Sequence, residues 1–278
     1  KLILTWLSPA FFVGIRRTLA GLILFGYKAW TSPRLKLSYI KSDIITITII
    51  SMMTMCIPSI LKAYSFKYLV SSKAALIGNL DPFITALYAY FLWNEKLSYK
   101  SIIGILIACG GITYIIAGSS VIESTLQAWW IFSLPELAMI ASLAIGRLGW
   151  ILAKKVLKSE RYTPSELNSL NMIMSGIVAL FGSYWNGTCE FCSIPYNHSF
   201  ILLFLYSVFM GDIVCYNIYG YLLKKYNITL LSLCGLSIPF FIHILGPIIH
   251  HEPITLNFFI AFGFVVLGTS IFYKETLN

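Results

Sequence analysis

Three ionisable residues, Asp81, Arg147 and Asp212, lie in the middle of long apolar runs. Charged groups are costly at membrane depth and mark ion or solute sites by default. Their positions within the runs place them within about one helical turn in depth. We therefore expect Arg147 to face a cavity and pair with one aspartate. The other aspartate, or a solute carboxylate or phosphate, would compete for it, and a fixed structural ion pair is the alternative.

Further side chains are candidates for contact with a solute. Of Arg16 and Arg17, one is expected to reach the membrane interface, and Arg16 is the candidate for lining an outer vestibule. Trp150, Tyr216, Tyr219 and Tyr88 could stack on a solute, although most aromatic residues of membrane proteins belong to interface belts or packing. His243 titrates in a range that suits a proton relay, but it could equally be a hydrogen-bonded packing residue.

Three prolines, Pro58, Pro82 and Pro239, are expected in the middle of helices, as hinges whose freed carbonyls face a cavity or as simple kinks. His250, His251 and Glu252 are adjacent, but neighbouring histidines point apart on a helix and no third ligand follows at a zinc-like spacing. The sequence predicts neither a metal site nor a cofactor.

The composition indicates a membrane protein. Apolar residues make up 58% of 278 positions, only 11% are charged, and the mean hydropathy is +0.80, whereas a soluble domain is about one quarter charged. The net charge is +9, but the basic residues do not form a patch with interleaved aromatics, so nucleic-acid binding is not expected. The predicted partners are the lipid bilayer and a small-molecule solute.

Apolar stretches of about 20 residues can each cross a bilayer as a helix. Short gaps between them leave no room for a soluble domain, and residues 1–8 have the composition of the end of another helix. Nine stretches are found: 9–29, 43–63, 70–92, 101–118, 134–155, 164–185, 200–222, 228–250 and 256–273.

Lysine and arginine are distributed unequally between alternate connections. Thirteen of the 20 lie on one side, including Lys28, Lys154 and Lys274, and the positive-inside rule makes that side cytoplasmic. We expect a bacterial inner membrane with both termini cytoplasmic once a first helix is restored. On the opposite side, Lys62, Lys67 and Lys73 are expected in an external loop, either solvated or attracting anionic solutes.

The chain contains an internal repeat. A shift of 157 positions aligns Tyr64 with Tyr221, Pro82 with Pro239, Glu95 with Glu252 and Gly111 with Gly268. Five helices per copy would insert the second copy upside down, as in many secondary transporters. We predict an all-α, ten-helix inverted repeat (5+5) with nine helices visible. The first copy is 1–118, an external connection is 119–133, the second copy is 134–273, and 274–278 is a tail.

Both copies carry a Pro-Phe pair followed by an acidic residue and a glycine-rich helix: Pro82, Phe83, Glu95, Lys96, Leu97, Ser98, Gly104, Gly110 and Gly111, then Pro239, Phe240, Glu252, Gly263 and Gly268. This ordered pair resembles the EamA repeat of the drug/metabolite transporter superfamily. The resemblance implies ten helices, a central cavity and transport of amino acids, nucleotides, sugars or related metabolites. Asp81, whose equivalent is Ile238, departs from the small or apolar residue typical there.

The function expected is secondary transport by alternating access. No Gly-x-x-x-x-Gly-Lys-Ser/Thr phosphate loop occurs, so transport would be coupled to a proton or to an exchanged solute. Aspartates at the depth of Arg147 favour an amino acid or related zwitterionic or cationic solute. The alternatives are a nucleotide-sugar or sugar-phosphate exchanger and, from another class, an integral membrane lipid-modifying enzyme, which would show clustered interfacial His, Asp or Glu.

Overall fold

The chain is represented by a computed structural model. It describes residues 2–31, 37–93, 98–117, 133–189, 197–226, 231, 238, 241, 242, 245 and 256–276. After a short 3-10 helix (Leu2–Thr5), the helices are α1 (Pro9–Thr31), α2 (Leu37–Ser51), α3 (Ile57–Tyr68), α4 (Ser71–Gly78), α5 (Asp81–Trp93), α6 (Tyr99–Ala117), α7 (Leu134–Lys158), α8 (Pro164–Trp185), α9 (His198–Tyr206), α10 (Tyr216–Lys225) and α11 (Leu256–Thr276).

Two π-helical segments join helices that the sequence predicts to be continuous. Met52–Cys56 connects α2 to α3, and Ser207–Cys215 connects α9 to α10. Five stretches of described residues have the length and apolar composition to cross a membrane: Pro9–Thr31, Asp43–Tyr68, Lys73–Leu92, Leu134–Lys158 and His198–Lys225. The all-α membrane fold expected from the sequence is confirmed. The stretch 228–250 lies mostly outside the described residues.

The predicted segment 70–92 is interrupted. A turn at Asn79 and Leu80 separates α4 from α5, so Asp81 begins α5 and Pro82 follows in its first turn. Proline is favoured there because its missing N–H would have no helical partner, and a carboxylate at this end is favoured by the helix dipole. The prediction that Asp81 and Pro82 lie in the middle of a helix is therefore wrong.

The expected basic external loop is also wrong. Lys62 and Lys67 lie within α3, which continues to Tyr68, and Lys73 lies in α4. Lys73 is buried, and its Nζ contacts Oε1 of the fully buried Glu136 at 2.6 Å. The other carboxylate oxygen of Glu136 accepts a hydrogen bond from the Ser133 N–H at 2.6 Å. This ion pair ties α4 to the start of α7.

The chain folds into two compact units that each combine parts of both sequence copies. The first unit contains residues 1–63 and 145–227, and the second contains residues 64–144 and 228–278. Each unit has at its centre a pair of helices that occupy equivalent places in the two copies. These pairs are α1 with α8 in the first unit and α6 with α11 in the second.

In the second unit, α6 and α11 approach closely at small residues. A Cβ on Gly104 would lie 2.5 Å from the carbonyl oxygen of Gly268, and one on Gly111 would lie 2.8 Å from the carbonyl oxygen of Ala261. Glycine permits such backbone contact between membrane helices. The 157-position shift exchanges these two contacts, since Gly104 corresponds to Ala261 and Gly111 to Gly268. The helices are antiparallel and related by a local two-fold axis.

The first unit repeats this arrangement with α1 and α8. A Cβ on Gly14 would lie 2.9 Å from the Leu180 N, and one on Gly21 would lie 2.8 Å from the Ile173 N. Between them, Gly176 packs against Thr18 so closely that a Cβ would lie 2.5 Å from the Thr18 N. The crossing is again antiparallel and centred on equivalent positions, as an inverted repeat requires.

Candidate functional site

A buried ion cluster occupies the first unit. Asp212 lies in the π-helical segment Ser207–Cys215 with a fully buried side chain. Its Oδ2 is 3.0 Å from Nε of Arg16, and its Oδ1 is 3.0 Å from Nη1 of Arg17. A carboxylate at this depth is stable only when it is paired. Helix α1 supplies both cations from adjacent positions.

Arg17 also contacts two other helices. Its Nη2 donates hydrogen bonds to the Ser59 hydroxyl at 2.9 Å and to the Tyr216 hydroxyl at 2.7 Å. Its guanidinium lies 4.2 Å from the centre of the Tyr216 ring. The side chain of Arg17 is fully buried, whereas that of Arg16 is 19% exposed. Arg17 therefore does not reach the membrane interface, and it joins α1, α3 and α10 to the carboxylate.

Arg147 and three aromatic rings lie beside this cluster. Nη1 of Arg147 donates a hydrogen bond to the Tyr219 hydroxyl at 2.7 Å. The Trp150 ring stacks on that of Tyr216 with centroids 6.0 Å apart and meets that of Tyr219 edge-on at 4.6 Å. Because all three rings are only partly buried, they present apolar faces beside the cations.

Lys62 adds another cation to the same region. It follows Ser59 by three positions on α3 and therefore lies on the same side of the helix, one turn further on. Lys62 is exposed in the structure. It interacts electrostatically with Tyr216, Arg147 and Arg17.

The two π-helical segments set the local geometry. Met52–Cys56 and the central part of Ser207–Cys215 are related by the 157-position shift. Such wide turns are rare and often occur at functional sites. Helix α7 reaches the first segment through Gly149, where a Cβ would lie 2.7 Å from the Thr54 N. At the end of the second segment, Nδ2 of Asn168 donates to the Tyr216 carbonyl at 2.7 Å.

Most of the site residues predicted from the sequence are found in this cluster. The structure brings together Arg16, Arg147, Trp150, Tyr216 and Asp212 in the first unit. Their roles in solute binding stay predictions. Asp81 belongs to the second unit, so its pairing with Arg147 also stays a prediction, whereas Asp212 pairs with Arg16 and Arg17. His243 and Pro239 lie outside the described residues.

The sequence did not point to Ser59, it placed Lys62 in an external loop, and it did not predict that Arg17 pairs with Asp212. In the structure, Arg17, Ser59, Lys62 and Tyr219 all contact or face residues predicted for the site. One signal was present, because the repeat shift makes Ser59 equivalent to Tyr216 and Lys62 equivalent to Tyr219. Pro58 follows the first π-helical segment and is buried. Its predicted hinge role stays a prediction.

A solved crystal structure of another protein is similar to this fold along the whole chain. The alignment covers 100% of this chain and 93% of the other, with a TM-score of 0.68 and 13% sequence identity. At that identity, the likeness shows the fold alone.

Relatives by sequence are transporters. The S-adenosylmethionine/S-adenosylhomocysteine transporter of Chlamydia trachomatis serovar L2 is 28% identical over 96% of this chain and 81% of its own length. The protein of the same name from Chlamydia muridarum is also 28% identical, over 96% of this chain and 84% of its own length. An uncharacterized transporter of Clostridium kluyveri is 23% identical over 86% of this chain and 75% of its own length.

A family model matches both halves of the chain. The model of the EamA-like transporter family matches residues 1–117 and again residues 134–274. The two matches cover most of the chain and confirm the resemblance in both copies. The chain belongs to the EamA-like transporter family, and it is a multi-pass secondary metabolite transporter rather than an enzyme.

Proposed function

We propose that this chain carries S-adenosylmethionine or S-adenosylhomocysteine across a membrane, with the solute bound beside the ion cluster of the first unit. The observation that carries the proposal is the juxtaposition of Arg147 and Lys62 with the rings of Trp150, Tyr216 and Tyr219. The names of the two chlamydial relatives support the same class of solute.

The chemistry of such a solute matches the cluster. An amino-acid carboxylate is attracted to cations, and the charge-assisted hydrogen bonds that it accepts are stronger than neutral ones. A flat base gains from stacking on partly buried rings. A sulfonium is a cation that the face of Trp150 or Tyr216 attracts through its quadrupole. One site can therefore hold the acidic end, the cationic centre and the base together.

Asp212 has a different role in this proposal. Arg16 and Arg17 both engage it, so the triad carries one positive charge in excess and keeps two arginines fixed at depth. Asp212 and Arg16 then shape the electrostatics of the site, while Arg147 and Trp150 contact the solute. Asp81 stays a proposed solute-binding residue, and His243 stays a proposed solute-binding residue or proton relay.

The transport cycle follows from the repeat. We propose two inverted copies, residues 1–118 and 134–273, that open to opposite sides in turn, with a connection at 119–133 and a tail at 274–278. Pro58 and Pro239 are proposed as hinges. The membrane is a bacterial inner membrane with both termini cytoplasmic, and the driving force is a proton gradient or exchange for a second solute.

Counterflow in proteoliposomes tests the proposal. Vesicles containing the purified protein and unlabelled S-adenosylmethionine are expected to accumulate external labelled S-adenosylmethionine, and internal S-adenosylhomocysteine is expected to support exchange. Parallel trials use amino acids and a nucleotide-sugar. Accumulation of the nucleotide-sugar alone would favour the nucleotide-sugar exchanger, and no movement of any solute would overturn the proposal.

A matched pair of variants locates the site. Arg147→Gln is expected to weaken S-adenosylmethionine counterflow by about tenfold or more, because a charge-assisted hydrogen bond is lost. Arg161→Gln removes the same charge from an exposed side chain that is 3.4 Å from Asp43, and its counterflow is expected to match that of the unmodified protein. Unchanged affinity in a folded Arg147→Gln protein would discard its solute role.

A further inference from the structure

We infer that Lys62 is the residue that receives the carboxylate of the transported solute. This inference rests on the proposed function and specifies one contact within it. It starts from the position of Lys62 on α3 and from the groups that surround it.

The side of α3 that carries Lys62 faces the rest of the protein. Ser59, one turn earlier on that side, accepts a hydrogen bond from Arg17 at 2.9 Å. Ser65, about one turn later, is fully buried and donates to the Pro135 carbonyl at 2.7 Å. Ile57 lies on the opposite side of the helix and is 41% exposed. Lys62 therefore lies on the protein-facing side of α3, in line with the ion cluster.

The charged groups around Lys62 are positive. Among the residues that the structure describes, none forms a hydrogen bond or an ion pair with Lys62, and its electrostatic neighbours are Tyr216, Arg147 and Arg17. Two of these three are cations. An ammonium group in such surroundings raises the local positive potential, which an incoming anion lowers.

Two other cations of the chain each pair with a buried carboxylate, which Lys62 does not do among the described residues. Arg17 pairs with Asp212 at 3.0 Å, and Lys73 pairs with Glu136 at 2.6 Å. In both pairs the carboxylate is fully buried and comes from a different helix. Lys62 differs from both, because it is exposed and no described carboxylate pairs with it. Its ammonium is therefore available to a solute anion beside the cluster.

The aromatic rings near Lys62 suit the shape of the proposed solute. Tyr216 is both an electrostatic neighbour of Lys62 and a stacking partner of Trp150. A carboxylate on Lys62 would therefore place the rest of an amino-acid-type solute over these rings. A single negative charge suits a single flexible ammonium, which binds as a point charge rather than as a fork.

Pairs of solutes and variants test the inference. Competition by S-adenosylmethionine and by its decarboxylated analogue is measured on the purified protein in proteoliposomes. For Lys62→Met, we expect the affinity for S-adenosylmethionine to fall by about 10- to 100-fold, the range of one charge-assisted hydrogen bond. The affinity for the decarboxylated analogue is expected to change less than about twofold, and Lys62→Arg is expected to restore most of the loss.

Lys67→Met is the matched control. Lys67 is an exposed lysine of the same helix, and its replacement is expected to leave both affinities unchanged. An equal loss for both solutes in Lys62→Met, or no loss for either, would overturn the inference while leaving S-adenosylmethionine transport intact.

Failure of the proposed function gives a different result, because the unmodified protein would then not move S-adenosylmethionine. In that case thermal stabilisation is measured with amino acids and their methyl esters. The inference survives only when an acid stabilises the unmodified protein more than its ester does, and when Lys62→Met removes the difference. No such difference would overturn it.

Discussion

The α2–α3 and α9–α10 stretches share a π-helical interruption and differ in their side chains. Both are interrupted by π-helical segments at positions related by the repeat shift, and they end at the equivalent residues Tyr68 and Lys225. The shift makes Met55 equivalent to Asp212. It likewise pairs Ser59 with Tyr216 and Lys62 with Tyr219. Symmetry is therefore a property of the scaffold, while the chemistry of the cluster comes from the differences between the copies.

The starts of these two stretches also differ in their side chains. At the start of the first, the Tyr162 hydroxyl donates to Oδ2 of Asp43 at 3.1 Å. At the equivalent place in the second, the ring of Trp6 meets the ring of Phe200 edge-on with centroids 5.9 Å apart. The predicted cytoplasmic side has a polar contact where the predicted external side has an aromatic one. The two equivalent positions therefore make contacts of different chemistry.

The largest effect is expected at Asp212, whose equivalent in the first copy is Met55. Asp212→Asn leaves two arginines at depth without their counter-charge, and breaking a buried ion pair costs about 3–5 kcal/mol. Thermal unfolding in detergent and S-adenosylmethionine counterflow measure the loss. Met55→Leu, at the equivalent position, is a volume-conserving change that is expected to cost less than about 1.5 kcal/mol. Equal stability of the two variants would contradict the asymmetry.

The next largest effect is expected at the close crossing of α6 and α11, where the two copies make equivalent contacts. Gly104→Ala and Gly268→Ala each place a Cβ against the backbone of the partner helix, and such overpacking costs about 1–3 kcal/mol. Gly110→Ala and Gly263→Ala, one in each copy, meet no atom within 4 Å. We expect unfolding in detergent to separate the first pair from the second. A similar melting temperature for all four variants would rule out the close crossing.

A smaller effect is expected at Tyr219, the counterpart of Lys62. Tyr219→Phe removes the acceptor of the Arg147 hydrogen bond and is expected to weaken S-adenosylmethionine binding by about tenfold, or about 1.5 kcal/mol. Tyr221→Phe alters a 63% exposed residue of the same helix and serves as the control. Binding that is equal in the two variants would show that the Arg147–Tyr219 contact does not position the site.

The smallest effect is expected at Tyr162. Its pH dependence distinguishes the start of the α2–α3 stretch from the start of the α9–α10 stretch. Burial, with the hydrogen bond to Asp43, raises the pKa of Tyr162 to about 12. Since the folded-state pKa lies above the ordinary value near 10, the stabilisation is present below about pH 10 and is lost as the pH rises through about 12. Tyr162→Phe is expected to lower stability by about 1 kcal/mol at neutral pH, with the difference disappearing under alkaline conditions.

Trp6→Leu provides the comparison for that experiment. The contact between Trp6 and Phe200 has no titrating group, so the cost of this change is expected to be independent of pH. Unfolding of both variants is followed across the alkaline range. A pH-independent cost for Tyr162→Phe would contradict the polar contact at the Asp43 end.

The helical segments were accessible from the sequence for a physical reason. A backbone in lipid must satisfy its hydrogen bonds internally, so apolar stretches of sufficient length become helices, and eight of the nine predicted segments contain described helices. The break at Asn79 was missed because the apolar residues on both sides of it outweighed the Gly-Asn-Leu-Asp-Pro stretch at 78–82, which is typical of a turn. The π-helical segments were missed because a widened turn leaves no mark in hydropathy.

The partners of Asp212 could not be predicted from depth alone. Rise per residue places a side chain along the membrane normal, but it does not say which neighbouring helix that side chain faces. Arg147 has the depth of Asp212, yet the described ion pairs of Asp212 go to Arg16 and Arg17 on α1. The widened turns around residue 212 also change the direction in which its side chain points, and a regular helix gives no indication of that change.

The crossing of α1 with α8 has a consequence for how the chain is made. At about 5–20 residues per second, the ribosome needs on the order of ten seconds or more after completing Thr31 before Trp185 is added. Asp212 follows later still. During that interval the nascent α1 holds Arg16 and Arg17 without the carboxylate that they pair with in the finished protein. The pairing of Arg16 and Arg17 with Asp212 can therefore form only after most of the chain has been synthesised.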